Sequence, residues 1–323
     1  MTKHTLWPQI LAVVVAMTTA ALCLPQAGFS ADKFEYMLRP FHERNFDSRQ
    51  EFEEWLDDLG AKGWYSIFHF GALNPKDHQR LFMRRVGGPS LVVDFEIEGI
   101  KKSSATHTMD KWVPAYDKLG EVGKFPVYLF KQGKKNYAVF EIRTLDSVLQ
   151  TVSWESELAG KDQARTRKEF ESAANKLADL AHVQNSIGFH SKDLSDYHLI
   201  GIGETTPGRV NMVDLRFGRA TISTKPNKWK RMINKHAKKG YIISNFELSD
   251  NTGTNFAVVF ARVKVNGEFA KRKCVVEPIP SFPFTNIEKM VQRMNSKGKK
   301  GFEKVFQTFA GGISFQFILC KDK

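Results

Sequence analysis

The chain is poor in the residues and motifs that mark most enzymes. It has three cysteines among 323 residues and no Cys-x-x-Cys pair, which excludes the paired-cysteine zinc motifs. It also lacks a His-Glu-x-x-His helix, a phosphate-cradling glycine loop and a nucleophile elbow. Gly201-x-Gly203 follows a predicted strand but has no third glycine. Because these motifs are missing, we expect no cofactor. Beyond residue 31 no apolar run is long enough to cross a bilayer, so we also expect no membrane span in the mature chain.

An export signal is predicted for residues 1–31. Lys3 and His4 precede the apolar stretch LWPQILAVVVAMTTAALCL, and the small residues Ser30 and Ala31 suit cleavage. An uncleaved anchor is the alternative, but the stretch contains polar residues and has no basic stop-transfer flank. We therefore expect a mature protein that is periplasmic or secreted.

The chain does have a repeated pattern with a period of about 60 residues. An apolar residue recurs five times at this interval, and a second one follows four positions later on the same helical face. Each unit is therefore expected to contain one short amphipathic helix. The two sets are Phe52, Trp112, Phe170, Trp229 and Met290, followed by Leu56, Tyr116, Ala174, Ile233 and Met294.

The first unit shows the predicted order of elements. KFEYMLRPF alternates as a strand, and Asp47 or Ser48 can cap the helix RQEFEEWLDDLGAKG, for which Gly60 and Gly63 are the stop signals. The strands WYSIFHFGA and QRLFMRRV follow, separated by turn-forming residues. The predicted fold is therefore α+β, built from tandem βαββ repeats after the signal peptide.

Five repeats account for the mature chain. The third repeat diverges, because it has a longer predicted helix, DQARTRKEFESAANKLADLAH, and because Ala178 and Ala181 replace its two glycines. The predicted boundaries of the repeats are residues 32–90, 91–145, 146–205, 206–268 and 269–323.

Three of these units resemble a small bacterial family, the domain of unknown function 4177. The stretches LGAKGWYSIFHF, AKKGYIISNFEL and GKKGFEKVFQTF share its βαββ pattern, with Trp64, Tyr241 and Phe302 at the aromatic position that begins the second strand. In the second unit Phe125 is displaced by one residue, and the third unit departs from the pattern. The resemblance implies a fold and no reaction, and we interpret the aromatic residues as core.

The arrangement of the units is open to two interpretations. A βαββ unit leaves a sheet face and a sheet edge to be covered, so neighbouring units must join their sheets or close on themselves. In outline, five units of this size resemble the pentein propeller, a closed α/β ring. The Cys nucleophile and His motif of pentein enzymes are not recognisable, so this resemblance implies an architecture without the catalysis.

Export also affects the interpretation of the cysteines. Cleavage removes Cys23 and leaves Cys274 and Cys320 in an oxidising compartment. These two residues begin the first predicted strand and end the last predicted strand of the fifth unit. A disulfide forms if the strands are antiparallel neighbours, and two buried thiols are the alternative.

Positive charge is concentrated in the last two units. Residues 205–323 contain 23 Lys and Arg against 8 Asp and Glu, whereas residues 32–204 contain 24 against 27. Such a field attracts anionic surfaces, although a solvated face that maintains solubility is the alternative. No nucleic-acid-binding motif is present, and export also argues against a nucleic-acid partner. The candidate residues for an anionic partner are Lys228, Lys230, Arg231, Lys235, Lys238, Lys239, Lys271, Arg272, Lys273, Lys299 and Lys300.

One pair of histidines is a candidate metal site. His190 and His198 are equidistant from Leu194 in the predicted hairpin of the third unit, so they would face each other across two strands. With Asp193 and Asp196 in the turn, they would offer ligands for a metal such as zinc. Ordinary surface or core histidines are the alternative.

Three functions remain open at this point. The leading one is an exported, non-catalytic binding or scaffold module, whose basic C-terminal half suits an anionic envelope component or another macromolecule. The second is an enzyme or metal protein with its site at the repeat junctions or at the His190/His198 hairpin. The third is a structural subunit of an envelope assembly.

Overall fold

The structure is a computed structural model. It describes residues 33–42, 45–70, 78–87, 91–100, 109–132, 135–161, 166–184, 189–190, 196–206, 213–221, 224–248, 255–263, 269, 271–279, 286–310 and 314–322. The signal peptide predicted for residues 1–31 lies outside these ranges. Within them, no helix combines the length and the apolar character needed to cross a membrane.

The described residues form a mixed α+β fold with five helices, which confirms the predicted fold class. The helices are α1 (Arg49–Ala61), α2 (Met109–Glu121), α3 (Arg167–Asp179), α4 (Pro226–Ala237) and α5 (Ile287–Gly298). The strands are β1 (Lys33–Pro40), β2 (Tyr65–Phe70), β3 (Gln79–Val86), β4 (Leu91–Ile100), β5 (Lys124–Gln132), β6 (Lys135–Leu145), β7 (Val148–Leu149), β8 (Val152–Lys161), β9 (Val183–Gln184), β10 (Phe189–His190), β11 (Asp196–Glu204), β12 (Val213–Thr221), β13 (Ile242–Leu248), β14 (Asn255–Val263), β15 (Arg272–Pro278), β16 (Glu303–Ala310) and β17 (Ser314–Asp322).

The strands form small antiparallel sheets with one shared topology. The strand orders are β1-β3-β2, β4-β6-β5, β10-β11-β8, β12-β14-β13 and β15-β17-β16, with the short β7 beside β6 and β9 beside β11. In each sheet the last long strand lies in the middle. A helix connects the first strand, at one edge, to the strand at the other edge.

Local sequence accounts for where the helices begin and end. Ser48, and not Asp47, caps α1, because its side chain accepts a hydrogen bond from the main-chain N–H of Glu51 at 3.1 Å. The helix of the third unit begins at Arg167, later than predicted, because Thr166 forms a capping box with Glu169. At 13 residues α3 has the same length as α1, so the prediction of a longer helix is wrong.

Each helix packs against the first strand of the sheet that follows it in the chain. Helix α1 contacts β4, α2 contacts β8 and α4 contacts β15, whereas α3 contacts β12 and, more extensively, β8 of its own sheet. The last helix, α5, contacts β1 at the other end of the chain. The largest core cluster accordingly combines residues from the beginning and end of the chain, including Phe34, Phe52, Met290 and Phe317.

Two of the glycines predicted as helix stops have a different role. A Cβ atom at Gly60 would lie 1.9 Å from the carbonyl oxygen of Val93, and one at Gly298 would lie 2.0 Å from that of Phe34. Both glycines are helical, and they allow the helix to approach the neighbouring strand. Each helix ends instead at the glycine three positions later. In the first unit this is Gly63, which has a positive φ of 73°.

The fifth sheet contains the disulfide. Cys274 in β15 lies directly opposite Cys320 in β17, and the bonded residues have a Cα–Cα distance of 4.1 Å. Both cysteines are buried. The bond therefore joins the first strand of this sheet to the last strand of the chain.

Candidate functional site

The exposed side of α4 carries dense positive charge. Its opposite side is apolar, because Trp229 and Ile233 are buried and the His236 ring stacks on Phe260 with a centroid distance of 3.9 Å. Pro226 at the first turn has no N–H to leave unpaired, which suits a helix start. The exposed cations of this helix and its C-terminal end, here called the α4 surface, are Lys228, Lys230, Arg231, Lys235, Lys238 and Lys239.

Asn234 fixes α4 against β15. Its Oδ1 accepts from the main-chain N–H of Cys274 at 3.1 Å, and its Nδ2 donates to the carbonyl of Cys274 at 3.0 Å. The exposed Lys271 and Lys273 precede this contact, so they lie beside the helix. Arg272 lies between them but is only 4% exposed. Successive side chains of a strand point to opposite faces. Arg272 is therefore buried, and the prediction that it is an exposed cation is wrong.

The charges of the α4 surface are not neutralised within the described part of the chain, where none of its six residues has an ion pair. Some cations elsewhere are paired, as in Arg84–Glu35 at 2.6 Å and Arg262–Asp214 at 2.6 Å. The field also acts on His236. Burial lowers the pKa of this imidazole, and the neighbouring Lys235, Lys239 and Arg216 lower it further.

The remaining predicted cations lie at a different junction. Lys299 and Lys300 follow α5 and are exposed. Helix α5 packs on β1, whereas α4 packs on β15. The predicted cationic residues therefore divide between two helix–strand junctions, and the larger group belongs to α4.

The hairpin histidines are not cross-strand partners. His190 lies opposite Tyr197, and Phe189 lies opposite His198, so the register differs by one residue from the prediction. This shift places His190 and His198 on opposite faces of the ladder. The described residues contain no group of three or more His, Cys, Asp and Glu side chains that could hold a metal ion, and Asp193 lies outside them.

A buried polar cluster joins the first two sheets. Glu141 is fully buried, accepts from the main-chain N–H of Ser66 at 2.8 Å, and pairs with Arg143. Arg80 is 2% exposed and donates to the Ser66 hydroxyl. Burial lowers the pKa of Arg80 to about 10, although the nearby Glu141 carboxylate opposes this shift. Ser66 therefore links charged side chains from both sheets.

Sequence reasoning missed a second polar pair, Ser153 and His182. The Ser153 hydroxyl lies 2.9 Å from His182 Nε2, and His182 Nδ1 lies 2.7 Å from the carbonyl oxygen of Leu180. A carbonyl only accepts, so Nδ1 carries the proton and Nε2 accepts from the hydroxyl. His182 is 8% exposed, whereas Ser153 is partly exposed.

Two glycines make space for this imidazole. A Cβ atom at Gly203 would lie 2.9 Å from His182 Cε1 and Nε2, and one at Gly201 would lie 2.8 Å from His182 Cβ. Gly201-x-Gly203 therefore has a packing role that a phosphate-loop search does not detect. It was the one sequence signal for this pair.

The chain has no match among known protein families, curated proteins or solved structures. Two features stand out, namely the unpaired positive charge of the α4 surface and the hydrogen-bonded pair of Ser153 and His182.

Proposed function

We propose that the protein is an exported binding module and that the α4 surface holds an anionic partner in the cell envelope. One observation carries this proposal. Six exposed cations occur within residues 228–239, and none of them is paired with an acidic residue of the described chain. A folded protein gains little from such self-repulsion, whereas a bound polyanion relieves it.

The spacing of these charges favours an extended partner. Ten of the residues 228–239 are helical and span about 15 Å, so the cations form a strip and not a single pocket. A small anion would contact only one or two of them. A polymer or surface with repeated anionic groups would contact most of them, and its affinity would fall as salt increases.

The proposal includes a repeat architecture that closes on itself. Its support is the shared strand order of the five sheets, together with the packing of α5 on β1. The resemblance of three units to the small βαββ family is in line with the repeated unit itself. In a ring of five repeats each helix covers the exposed edge of the next sheet, and no first strand is left open.

Charge reversal with a matched control tests the binding surface. The variant Lys228→Glu/Lys230→Glu/Lys238→Glu changes net charge by the same amount as Lys62→Glu/Lys118→Glu/Lys135→Glu, and all six lysines are exposed. Binding of residues 32–323 to an immobilised acidic polysaccharide and to vesicles with anionic phospholipid is measured over a salt series. We expect the α4 variant to lose at least about tenfold in affinity at low salt, with a reduced salt slope.

The control separates a located site from general attraction. The second triple variant should retain most of its affinity, since its lysines lie on other units. Equal losses in the two variants, or wild-type binding that persists at high salt, would contradict the proposal. The probe that is retained identifies the class of anionic partner.

A further inference from the structure

In three units, the aromatic residue that follows the left-handed glycine after the helix has a recurrent environment. In the first unit this residue is Trp64, and the guanidinium of Arg84 lies 4.7 Å from its ring centroid. In the fourth unit Arg262 lies 4.7 Å from the ring centroid of Tyr241. The fifth unit has the same arrangement, with Lys321 Nζ 5.1 Å from the ring centroid of Phe302.

An acidic residue on the first strand completes this arrangement in two of the units. Glu35 pairs with Arg84 at 2.6 Å. Asp214 pairs with Arg262 at 2.6 Å and accepts from the Tyr241 hydroxyl at 2.7 Å. Burial opposes ionisation of Asp214, but these hydrogen bonds outweigh it and lower the pKa of the carboxyl.

The third unit replaces every member of this arrangement. Ser153 follows Val152, whose carbonyl oxygen faces the helical Gly120. In the second unit, Asp94 follows Val93, whose carbonyl oxygen faces the helical Gly60. Ser153 therefore occupies the position of an acidic residue on the first strand. His182 follows the left-handed Ala181, and Gly203 lies against its ring where the first, fourth and fifth units have the cations Arg84, Arg262 and Lys321. A hydroxyl–imidazole pair, with the ring packed against a glycine, thus takes the place of the ionic arrangement.

The main chain before the imidazole is also unusual. Ala181 has a φ of 60°, in the left-handed region that the corresponding Gly63 and Gly301 adopt freely. A side chain in this region costs about 1 kcal/mol or more, and such strain is concentrated at functional sites. Here it ends α3 and turns His182 back towards Ser153.

We propose that Ser153 is a nucleophile with His182 as its general base, and that the pair acts on esters or other activated acyl groups. The tautomer is suitable, because the Leu180 carbonyl holds the proton on Nδ1 and leaves Nε2 to accept from the hydroxyl. Ser153 is partly exposed, as the approach of an acyl group requires. This activity goes beyond the binding function, since neither residue lies on the α4 surface.

The reaction balances without a cofactor. Ser153 Oγ forms a bond to the acyl carbon while its proton passes to His182 Nε2. The bond to the leaving alkoxide breaks, and the imidazolium returns the proton to that oxygen, releasing an alcohol. Water, deprotonated by the same imidazole, then cleaves the acyl–serine ester and restores the hydroxyl.

A fluorophosphonate probe tests the nucleophile directly. The Ser153 oxygen would displace fluoride at phosphorus, and the intact mass of residues 32–323 would increase by one phosphonyl group. We expect a single adduct in the wild type and in Ser156→Ala, a serine on the same strand, and none in Ser153→Ala. The His182→Gln variant should react at least about 100-fold more slowly, and its rate of p-nitrophenyl acetate hydrolysis should fall in parallel.

Folding is checked by thermal unfolding of each variant. His182 is buried, so its substitution can unfold the protein, whereas Ser153→Ala removes only a partly exposed hydroxyl. The Ser153→Ala result therefore decides the proposal if His182→Gln does not fold. An adduct that persists in Ser153→Ala, no adduct in folded wild type, or wild-type reactivity in folded His182→Gln overturns it.

Discussion

The side-chain amide of Asn295 hydrogen-bonds both main-chain groups of Tyr36, 259 positions earlier in the chain. Its Oδ1 accepts from the Tyr36 N–H at 2.7 Å, and its Nδ2 donates to the Tyr36 carbonyl at 2.9 Å. Asn234 does the same for Cys274, and Asp117 accepts from the N–H of Trp154 at 2.9 Å. These side chains satisfy the open edges of the first strands, which would otherwise present unpaired main-chain groups.

Removal of the Asn295 amide should destabilise the protein. Asn295→Ala leaves a main-chain donor and acceptor of Tyr36 unpaired, at an expected cost of about 2 kcal/mol in the free energy of unfolding. The matched control is Asn175→Ala, since Asn175 stands at the same helical position but is exposed beside a cavity of about 430 Å³. Denaturant unfolding measures both, and equal losses would contradict a specific role for Asn295.

Addition of a methyl group at Gly60 should separate α1 from β4. The new Cβ atom would lie 1.9 Å from the carbonyl oxygen of Val93, so the main chain must move. We expect Gly60→Ala to lower the free energy of unfolding by about 1–3 kcal/mol or more. In the control Gly99→Ala the nearest atom, from Tyr137, is 3.9 Å away. A thermal shift as small as that of the control would show that the contact is not required.

Relief of the left-handed conformation at position 181 should stabilise the protein. Ala181→Gly removes the steric cost of a positive φ, which outweighs the added freedom of the unfolded chain, for a net gain of about 0.5–1 kcal/mol. Ala178→Gly, inside α3, should instead lose about 1 kcal/mol. Calorimetric unfolding distinguishes the two variants. A lower melting temperature for Ala181→Gly would contradict the prediction that the left-handed conformation of Ala181 is strained.

Mild acid should destabilise the fold through His236. Burial and the adjacent Lys235 and Lys239 lower its pKa, so the unfolded chain binds the proton more strongly than the folded chain. The stability that depends on neutral His236 is present above the unfolded pKa of about 6.5 and is lost as pH falls through the lower folded value. His236→Phe, which retains an aromatic ring on Phe260, should show a smaller fall in melting temperature between about pH 7 and pH 5. Identical pH profiles would exclude this contribution.

The third unit shows where sequence comparison is informative and where it stops. Substitution of alanine for glycine at positions 178 and 181 marks this unit as divergent. Gly201-x-Gly203 is the one sequence signal near the contact between Ser153 and His182, because 29 residues separate the pair and no known motif contains both. Only the antiparallel pairing of β11 with β8 and β9 brings them together across Gly203.

The basic region shows the same division. The count of charged residues locates the basic region in the chain, but it cannot distinguish a buried cation such as Arg272 from an exposed one such as Lys273. The strand places Arg272 in the interior and Lys273 outside. The sequence spacing predicts that His190 and His198 face each other, but a shift of one residue in register places them on opposite faces.

The sequence by itself determined the elements of this protein. Helical spacing of apolar residues, a cap such as Ser48 and left-handed glycines act over a few residues, so they can be recognised without knowledge of the fold. Only the tertiary structure decided which helix covers which strand edge, which cations remain exposed and which polar side chains meet. Those outcomes depend on packing between segments as far apart as Tyr36 and Asn295, and no local pattern encodes such distances.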